Sequence, residues 1–202
     1  MNVKVIDEHG YAEALFGIGL SFGLTSGQDV AEFRNAKLYG GERKATFDRL
    51  ERVAKKLAHK GGGESKFLES MTVYLDITAP RYWWSEFDTY RVGMTKQSES
   101  TMHTVTKRHL TEEDFEGCEI NCIYLDYLNK IVDSKNLVSL KRALPEGFLQ
   151  RRIVVTNYKV LQNMYGQRKN HRLREWHIFC EAILSQLEHN DFIENYETME
   201  TK

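Results

Sequence analysis

Three stretches of this 202-residue chain concentrate polar groups beside aromatics, and each could bind an anionic or heteroaromatic ligand. The first, VYLDITAPRYWWSEFDTYR (73–91), sets Glu86, Asp88 and Arg91 behind the pair Trp83 and Trp84. The second, TKQSESTMH (95–103), is rich in small hydroxyls and carries Gln97, Glu99 and His103. Such a segment can hydrogen-bond a heterocycle or a phosphate through hydroxyls and backbone N–H groups. The third runs from KRALPEG (141–147) to NYKVLQNMYGQRKNHRLR (157–174), where Arg168, Lys169, His171, Arg172 and Arg174 crowd seven residues. Arginine forks match phosphate oxygens. Each stretch also has a plainer reading. Tryptophans dominate core burial, hydroxyl-rich segments form solvated loops, and a short basic run is ordinarily a wet helix face.

Other chemistries find little support. Cys118, Cys122 and Cys180 include no CxxC pair, and no paired histidines follow at ligand spacing, so no metal is expected. Cys118 and Cys122, four apart, read as ordinary thiols on one face of a helix. This cysteine usage points to a reducing compartment, and a cytoplasmic location is expected. FGIGLSFGLTSG (16–27) lacks both the GxGxxG spacing and the GK[ST] ending of phosphate-cradling loops, and reads as a plain loop. With a formal net charge of -1, neither nucleic acid nor an anionic membrane is an expected partner. MNVKVIDEHGYAEALF shows no basic region followed by an apolar run, and no apolar stretch approaches ~18 residues, so neither a signal peptide nor a membrane span is expected.

These groups need a scaffold. A composition of 41% hydrophobic and 28% charged residues suits a single domain over 1–202, large enough to bury a core without disulfides or metal. Only Pro80 and Pro145 occur, which argues against long disordered linkers. Alternation predicts a strand over 2–6. Ala45, Phe47, Leu50, Val53, Ala54 and Leu57 mark a helix over 42–59, closed by KGGGES. From Met71 a strand turns Val73, Leu75 and Ile77 inward and Thr72, Tyr74 and Asp76 outward. A helix over 81–92 follows Pro80, and TEED opens another within 111–133. Residues 137–145 lead to Pro145, and helices are expected over 155–168 and 172–188. The polar tail, 195–202, is expected to fray. With strands early and helices late, the fold class is α+β.

Taken in order, these stretches resemble the flavin-dependent thymidylate synthases, the ThyX family. That family runs from a strand and a proline into a helix ending in R-H-R, then R-H-R-x-x-S-x-N-E-x-S-x-R-Y. VYLDITAP corresponds to the strand and proline. Counting from Pro80, Glu86 falls on the glutamine of a preceding R-Q-W, and Thr89, Tyr90 and Arg91 fall on R-H-R. Thr95 falls on the first serine, Glu99 on the glutamate, Thr101 on the later serine and His103 on the arginine, with two extra residues between Arg91 and Glu99. ESKFLES (64–70) resembles H-x-S-P-F-E-H and keeps Ser65 and Glu69. KRALP (141–145) resembles A-R-x-x-L-P one residue short, so Lys141 competes with Arg142 for the arginine's place. NYKVLQNMYGQR (157–168) matches N-x-R-x-L-x-N-F-L-x-L-R without a gap at Asn157, Leu161, Asn163 and Arg168. The resemblance covers roughly residues 60–185.

It implies a ThyX-like fold, a central antiparallel sheet with helices, in a homotetramer that binds FAD and dUMP between subunits. The methylene would come from methylenetetrahydrofolate and the hydride from reduced flavin, with NADPH as reductant and no protein cysteine as nucleophile. By position, Ser65, Glu69, Arg91, Asn157 and Asn163 would contact flavin. Glu86, Glu99, Thr101, His103, Arg142 and Arg168 would contact the pyrimidine nucleotide. The chain departs from the family where Thr89 and Tyr90 replace Arg and His, and where His103 replaces Arg, removing fixed positive charge. Two readings follow: an FAD-dependent thymidylate synthase or a variant of it, and a non-catalytic nucleotide-binding protein that has lost flavin chemistry.

Overall fold

The computed structural model describes residues 1–36 and 40–194. Its centre is a four-stranded sheet of β1 (Asn2–His9), β2 (Thr72–Pro80), β3 (Thr95–Ser98) and β4 (Leu149–Asn157), paired antiparallel in the order β1-β2-β4-β3. Helices α1 (Tyr11–Ser21), α2 (Val30–Arg34) and α3 (Gly41–Ala58) separate β1 from a 3-10 turn at Gly62–Glu69 that leads into β2. Then come α4 (Arg81–Phe87), α5 (Thr101–Thr104), α6 (Cys122–Asp133) and α7 (Leu137–Ala143). After β4 follow α8 (Tyr158–Arg168), α9 (Arg174–Gln186) and α10 (Asp191–Glu194).

The alternation of β2 does what period-two patterning requires. Val73, Leu75, Ile77 and Ala79 are fully buried, while Thr72, Tyr74, Asp76 and Thr78 lie half-buried on the other face. An aromatic knot of α4 and α9 belongs to the same core. The Trp83 ring lies 4.8 Å from Phe87 and 4.9 Å from Trp176. A second, smaller core joins Val105, Leu110 and Phe115 to Leu128, Val132, Leu140, Leu144 and Phe148.

Several expectations need correction. Residues 16–27 are not a plain loop, because α1 runs through Ser21. Burial of Ala14, Leu15 and Ile18 at helical spacing outweighs the cost of Gly17 and Gly19, about 1 kcal/mol each relative to alanine. Gly19 is also needed there, since a Cβ would come within 2.5 Å of Thr25 Cγ2. TEED does form a capping box between Thr111 and Asp114, but the helix it caps is a single 3-10 turn. Left-handed backbone at Gly117 (φ 67) and Cys118 (φ 55) interrupts the segment, and α6 starts afresh under an Asn121 cap. Cys118 and Cys122 therefore do not share a helix face. The helix expected over 81–92 ends at Phe87.

The order of strands and helices is also revised, because β4 is a central strand late in the chain and 155–157 belong to it. Arg151 and Arg152 obscured its apolar alternation. They are tolerated because Arg151 pairs with Asp76 across the sheet and Arg152 with Asp88. The α+β class and the antiparallel sheet stand. The expected fraying of 195–202 lies outside the described residues.

Candidate functional site

Asn157 ends β4 and caps α8, its side-chain oxygen accepting the Val160 N–H at 3.0 Å. This leaves its amide nitrogen beside Gly93, in the loop that follows α4. Gly93 has φ +70, and a Cβ there would lie 2.9 Å from both Asn157 Nδ2 and Val160 Cγ2. Only glycine lets this loop lie so close to α8. Between them opens a cleft of about 460 Å³ lined by Glu69, Thr89, Tyr90, Arg91, Val92, Gly93, Asn157, Lys159, Val160 and Asn163.

Four of the five residues assigned to flavin by resemblance (Glu69, Arg91, Asn157 and Asn163) thus share one cleft. Ser65 does not line it. It is fully buried behind it, and its hydroxyl accepts a hydrogen bond of 2.8 Å from Lys159 Nζ. Lys159 also donates to Gln162 Oε1 at 2.9 Å. Gln162 is buried, and its amide is held by the carbonyls of Ala58 and Phe192. Burial lowers the Lys159 pKa, and the charge of Glu69 opposes that shift. An amine braced in this way gives the cleft a cation of fixed position. The sequence reading missed Lys159, although it stands at the arginine of the N-x-R pattern.

A second cavity, about 310 Å³, lies among α4, α7 and β4, lined by Arg81, Trp84, Ser85, Asp88, Thr101, Lys141, Leu144, Glu146, Gln150 and Arg152. The Arg152 guanidinium lies 4.2 Å over the Trp84 ring and donates to both Asp88 oxygens at 3.1 Å. Trp84 is held by its own N–H to the Gln150 carbonyl at 3.0 Å. Asp88 also accepts from Lys96 Nζ at 2.7 Å. Burial pushes the Asp88 carboxyl up, but the bonds from Lys96 and Arg152 outweigh it and hold it below the usual range. Arg81 donates to the Leu144 carbonyl at 3.0 Å.

A narrower pocket of about 90 Å³ shares Thr101 and Gln150 with this cavity and includes Glu99, Arg108 and Asp114. Thr101 and Glu99, both assigned to the nucleotide, therefore sit at adjoining pockets. At the Lys141–Arg142 ambiguity, Lys141 lines the cavity and Arg142 is exposed outside it. His103 is exposed on α5, outside both pockets. Arg81 and Arg152 were missed by the sequence reading. Their signal was an arginine just after Pro80 and an arginine pair leading an apolar run.

Glu86 and Arg168 meet each other elsewhere. Arg168 Nη1 donates to Glu86 Oε2 at 3.1 Å, its Nε donates to the Tyr90 hydroxyl at 3.0 Å, and its guanidinium lies 4.7 Å over Trp176. Trp176 Nε1 donates to the same Glu86 oxygen at 2.9 Å, with His171 Nε2 at 3.5 Å. Tyr90, at the family's histidine position, donates in turn to Gln167. It also lines the first cleft, so it links the two groups. Thr89 spends its hydroxyl on the Glu86 carbonyl at 2.7 Å.

A further cavity of about 710 Å³ lies between α1, α3 and the Gly62–Glu69 turn, with walls that include Ala14, Gly17, Ile18, Phe22, Leu57 and Phe67. Reading 16–27 as a loop hid it. Among the described residues, no cluster of His, Cys, Asp and Glu could hold a metal ion, and no helix is long and apolar enough to cross a membrane.

No protein-family profile matches the sequence, and no curated protein matches it significantly. Solved structures do match. Flavin-dependent thymidylate synthase ThyX from Helicobacter pylori, complexed with FAD and dUMP, superposes with a TM-score of 0.76 at 16% identity, over 98% of this chain and 100% of that one. A second structure of thymidylate synthase X from Helicobacter pylori with FAD and dUMP gives 0.71 at 18% identity, over 96% and 98%. The UMP/dUMP methylase PolB from Streptomyces cacaoi, bound with 5-Br dUMP, gives 0.58 at 13% identity, over 91% and 88%. The chain therefore has the fold of the flavin-dependent thymidylate synthases.

Proposed function

We propose that this chain is a divergent flavin-dependent enzyme of the thymidylate synthase type, methylating a pyrimidine deoxynucleotide. The observation that carries this reading is the adjacency of two different cavities at one turn. Asp88 lines the cationic cavity, and Thr89, the next residue, lines the cleft with the flavin-assigned groups. The structurally similar enzymes with FAD and dUMP, or with a brominated dUMP, support the ligand pair.

The cleft residues fit a flavin. Gly93 lets the loop close against α8 at the cleft's wall, Val92, Val160 and Tyr90 supply apolar surface, and Asn157, Asn163, Arg91 and Lys159 supply donors for a polar edge. Its volume of about 460 Å³ is within the range of ligand pockets, roughly 300–1,000 Å³. FAD bound there and reduced by NADPH would supply the hydride, with methylenetetrahydrofolate as one-carbon donor. The chain's own work is binding and orientation. Lys159, braced by Ser65 and Gln162, presents a positive charge at a fixed point. The carboxamides of Asn157 and Asn163 set the ligand's direction along α8. Thr101 and Lys141 serve the nucleotide in the adjoining cavity. On one chain, Glu86 and Arg168 do not line Thr101's cavity; in this proposal a homotetramer brings them to nucleotides shared between subunits.

A second reading is favoured by Thr89, Tyr90 and His103, which leave fewer cations than the R-H-R pattern provides. In it, the chain binds nucleotide without flavin chemistry. An absorbance scan of purified protein, with thermal shifts for FAD and dUMP and an assay of dUMP conversion with folate, NADPH and FAD, separates the two. Flavin bands with turnover support the enzyme. Stabilisation by dUMP alone, with neither spectral change nor turnover, supports the binding protein. No response to either ligand overturns both.

A further inference from the structure

Gly17 sits in the middle of α1 without a packing reason. Its backbone is not left-handed, and a Cβ built on it meets no atom of the described residues within 4 Å beyond its own stretch of helix. Gly19, two residues on, differs, because Thr25 fills the space beside it. Glycine weakens a helix relative to alanine, so Gly17 carries a cost that no contact within the fold explains. What it does is leave open the cavity of about 710 Å³ between α1, α3 and the Gly62–Glu69 turn. Ile18, Leu57 and Phe67 supply apolar walls, and Phe22 adds a ring that is 59% exposed. Most charges on the rim are already matched. Glu13 pairs with Arg34, and Lys60 lies 3.0 Å from Glu64. Lys66 is exposed and has no ion pair or hydrogen bond among the described residues. The cavity therefore combines apolar walls with one uncompensated positive charge. It shares no residue with the flavin-assigned cleft. The turn divides the two: Ser65 bonds Lys159 on the cleft side, while Lys66 and Phe67 line this cavity.

We infer that this cavity binds a small aromatic monoanion, an apolar ring system carrying a single carboxylate or sulfonate. The rings of Phe22 and Phe67 offer edges and faces to an aromatic body. The volume is within the range of ligand pockets, roughly 300–1,000 Å³. Lys66 meets the acid group at the rim, where its stem can lie along apolar surface while its ammonium stays in water. A neutral body would leave Lys66 idle, and a dianion would carry a charge into apolar walls without a partner. The site needs neither FAD nor a nucleotide, so it stands apart from the proposed function.

Fluorescence titration of the full chain tests it with two dyes of similar shape. One is 8-anilinonaphthalene-1-sulfonate, a monoanion; the other is N-phenyl-1-naphthylamine, which is neutral. The anionic dye is expected to saturate at one per chain. Lys66→Gln is expected to weaken it about two- to fivefold, the scale of an exposed ion pair, and to leave the neutral dye unchanged. Gly17→Leu puts an apolar side chain into the cavity and is expected to weaken both dyes about tenfold or more. Leucine is the better helix former, so this variant should melt at or above the parent, and the loss is then not a loss of fold. Gly17→Ala keeps most of the space and should keep both dyes. Binding that Gly17→Leu leaves intact lies elsewhere and overturns the site. The same change in both dyes with Lys66→Gln, or no change in either, overturns the assignment of an anion. Displacement of the dye by FAD would make the cavity part of the flavin site and overturn it as a separate one, and so would the absence of saturable binding to the parent chain. If Gly17→Leu does not fold, the contrast of the two dyes in Lys66→Gln decides alone.

Discussion

Arg168 aligns with an arginine expected to reach a nucleotide, yet within one chain its fork is already engaged. Its side chain is 19% exposed, and it bonds Glu86 and the Tyr90 hydroxyl while stacking on Trp176. Replacing it by alanine should therefore cost stability before any ligand is added. A hydrogen bond to a charged group contributes about 1.5–3 kcal/mol, and the neutral bond to Tyr90 about 1. Stacking on Trp176 adds about 0.5–1 kcal/mol. The terms do not add fully, because Glu86 is 35% exposed and can recover water while keeping its bond from Trp176 Nε1. The expected loss for Arg168→Ala is about 2–3 kcal/mol. At about 2–4 °C per kcal/mol for a chain of this length, the melting point should fall by about 5–10 °C. Urea unfolding of ligand-free protein measures the loss directly, and an unchanged slope shows that the surface exposed on unfolding is the same. Arg168→Lys should recover less than half, since it restores the charge without the fork. A loss below about 0.5 kcal/mol, the scale of an ordinary surface substitution, would refute the account of an engaged fork and return Arg168 to the ligand.

Two further outcomes follow from the cleft and the charge network. Gly93→Ala should cost about 1–2 kcal/mol from its left-handed backbone alone, and the new Cβ, 2.9 Å from Asn157 Nδ2, should also abolish whatever thermal stabilisation FAD confers; retained stabilisation in a destabilised variant would move the flavin elsewhere. The Asp88 and Asp76 carboxyls are held below their ordinary values, Asp88 by Lys96 and Arg152 against burial and Asp76 mainly by its bond from Arg151. A depressed folded pKa gives stability that is present above the unfolded value, about 4, and is lost as pH falls through the folded one. Urea midpoints should therefore drop below about pH 4, and Asp88→Asn should flatten that limb; an unchanged limb would remove Asp88 from the account.

How far the site could be read in advance depended on whether the signal was local. The alternation of β2 and the ungapped run from Asn157 to Arg168 are short-range patterns; the first gave the buried face of the strand, and the second drew attention to Asn157 and Asn163, which share one cleft. Lys159 was visible as a lysine in a motif, but its value as a fixed cation comes from Ser65 and Gln162, of which Ser65 is distant in sequence. Arg81 and Arg152 were not singled out along the sequence. They become a pair of forks only when β4 lies beside α4.

By itself the sequence determined the α+β class and the core face of β2, because these follow from periodicity and residue type along neighbouring positions, whereas the antiparallel sheet was implied only by the family resemblance. It did not determine which charged groups face one another. Whether Lys141 or Arg142 enters the cavity is a matter of which side of a seven-residue helix faces it. Whether Arg168 meets a ligand or Glu86 is decided by α9 bringing Trp176 alongside. Those are long-range contacts, and only the tertiary structure, by pairing Arg168 with Glu86 and leaving Lys141 without an ion pair among the described residues, decided where positive charge is available for a ligand.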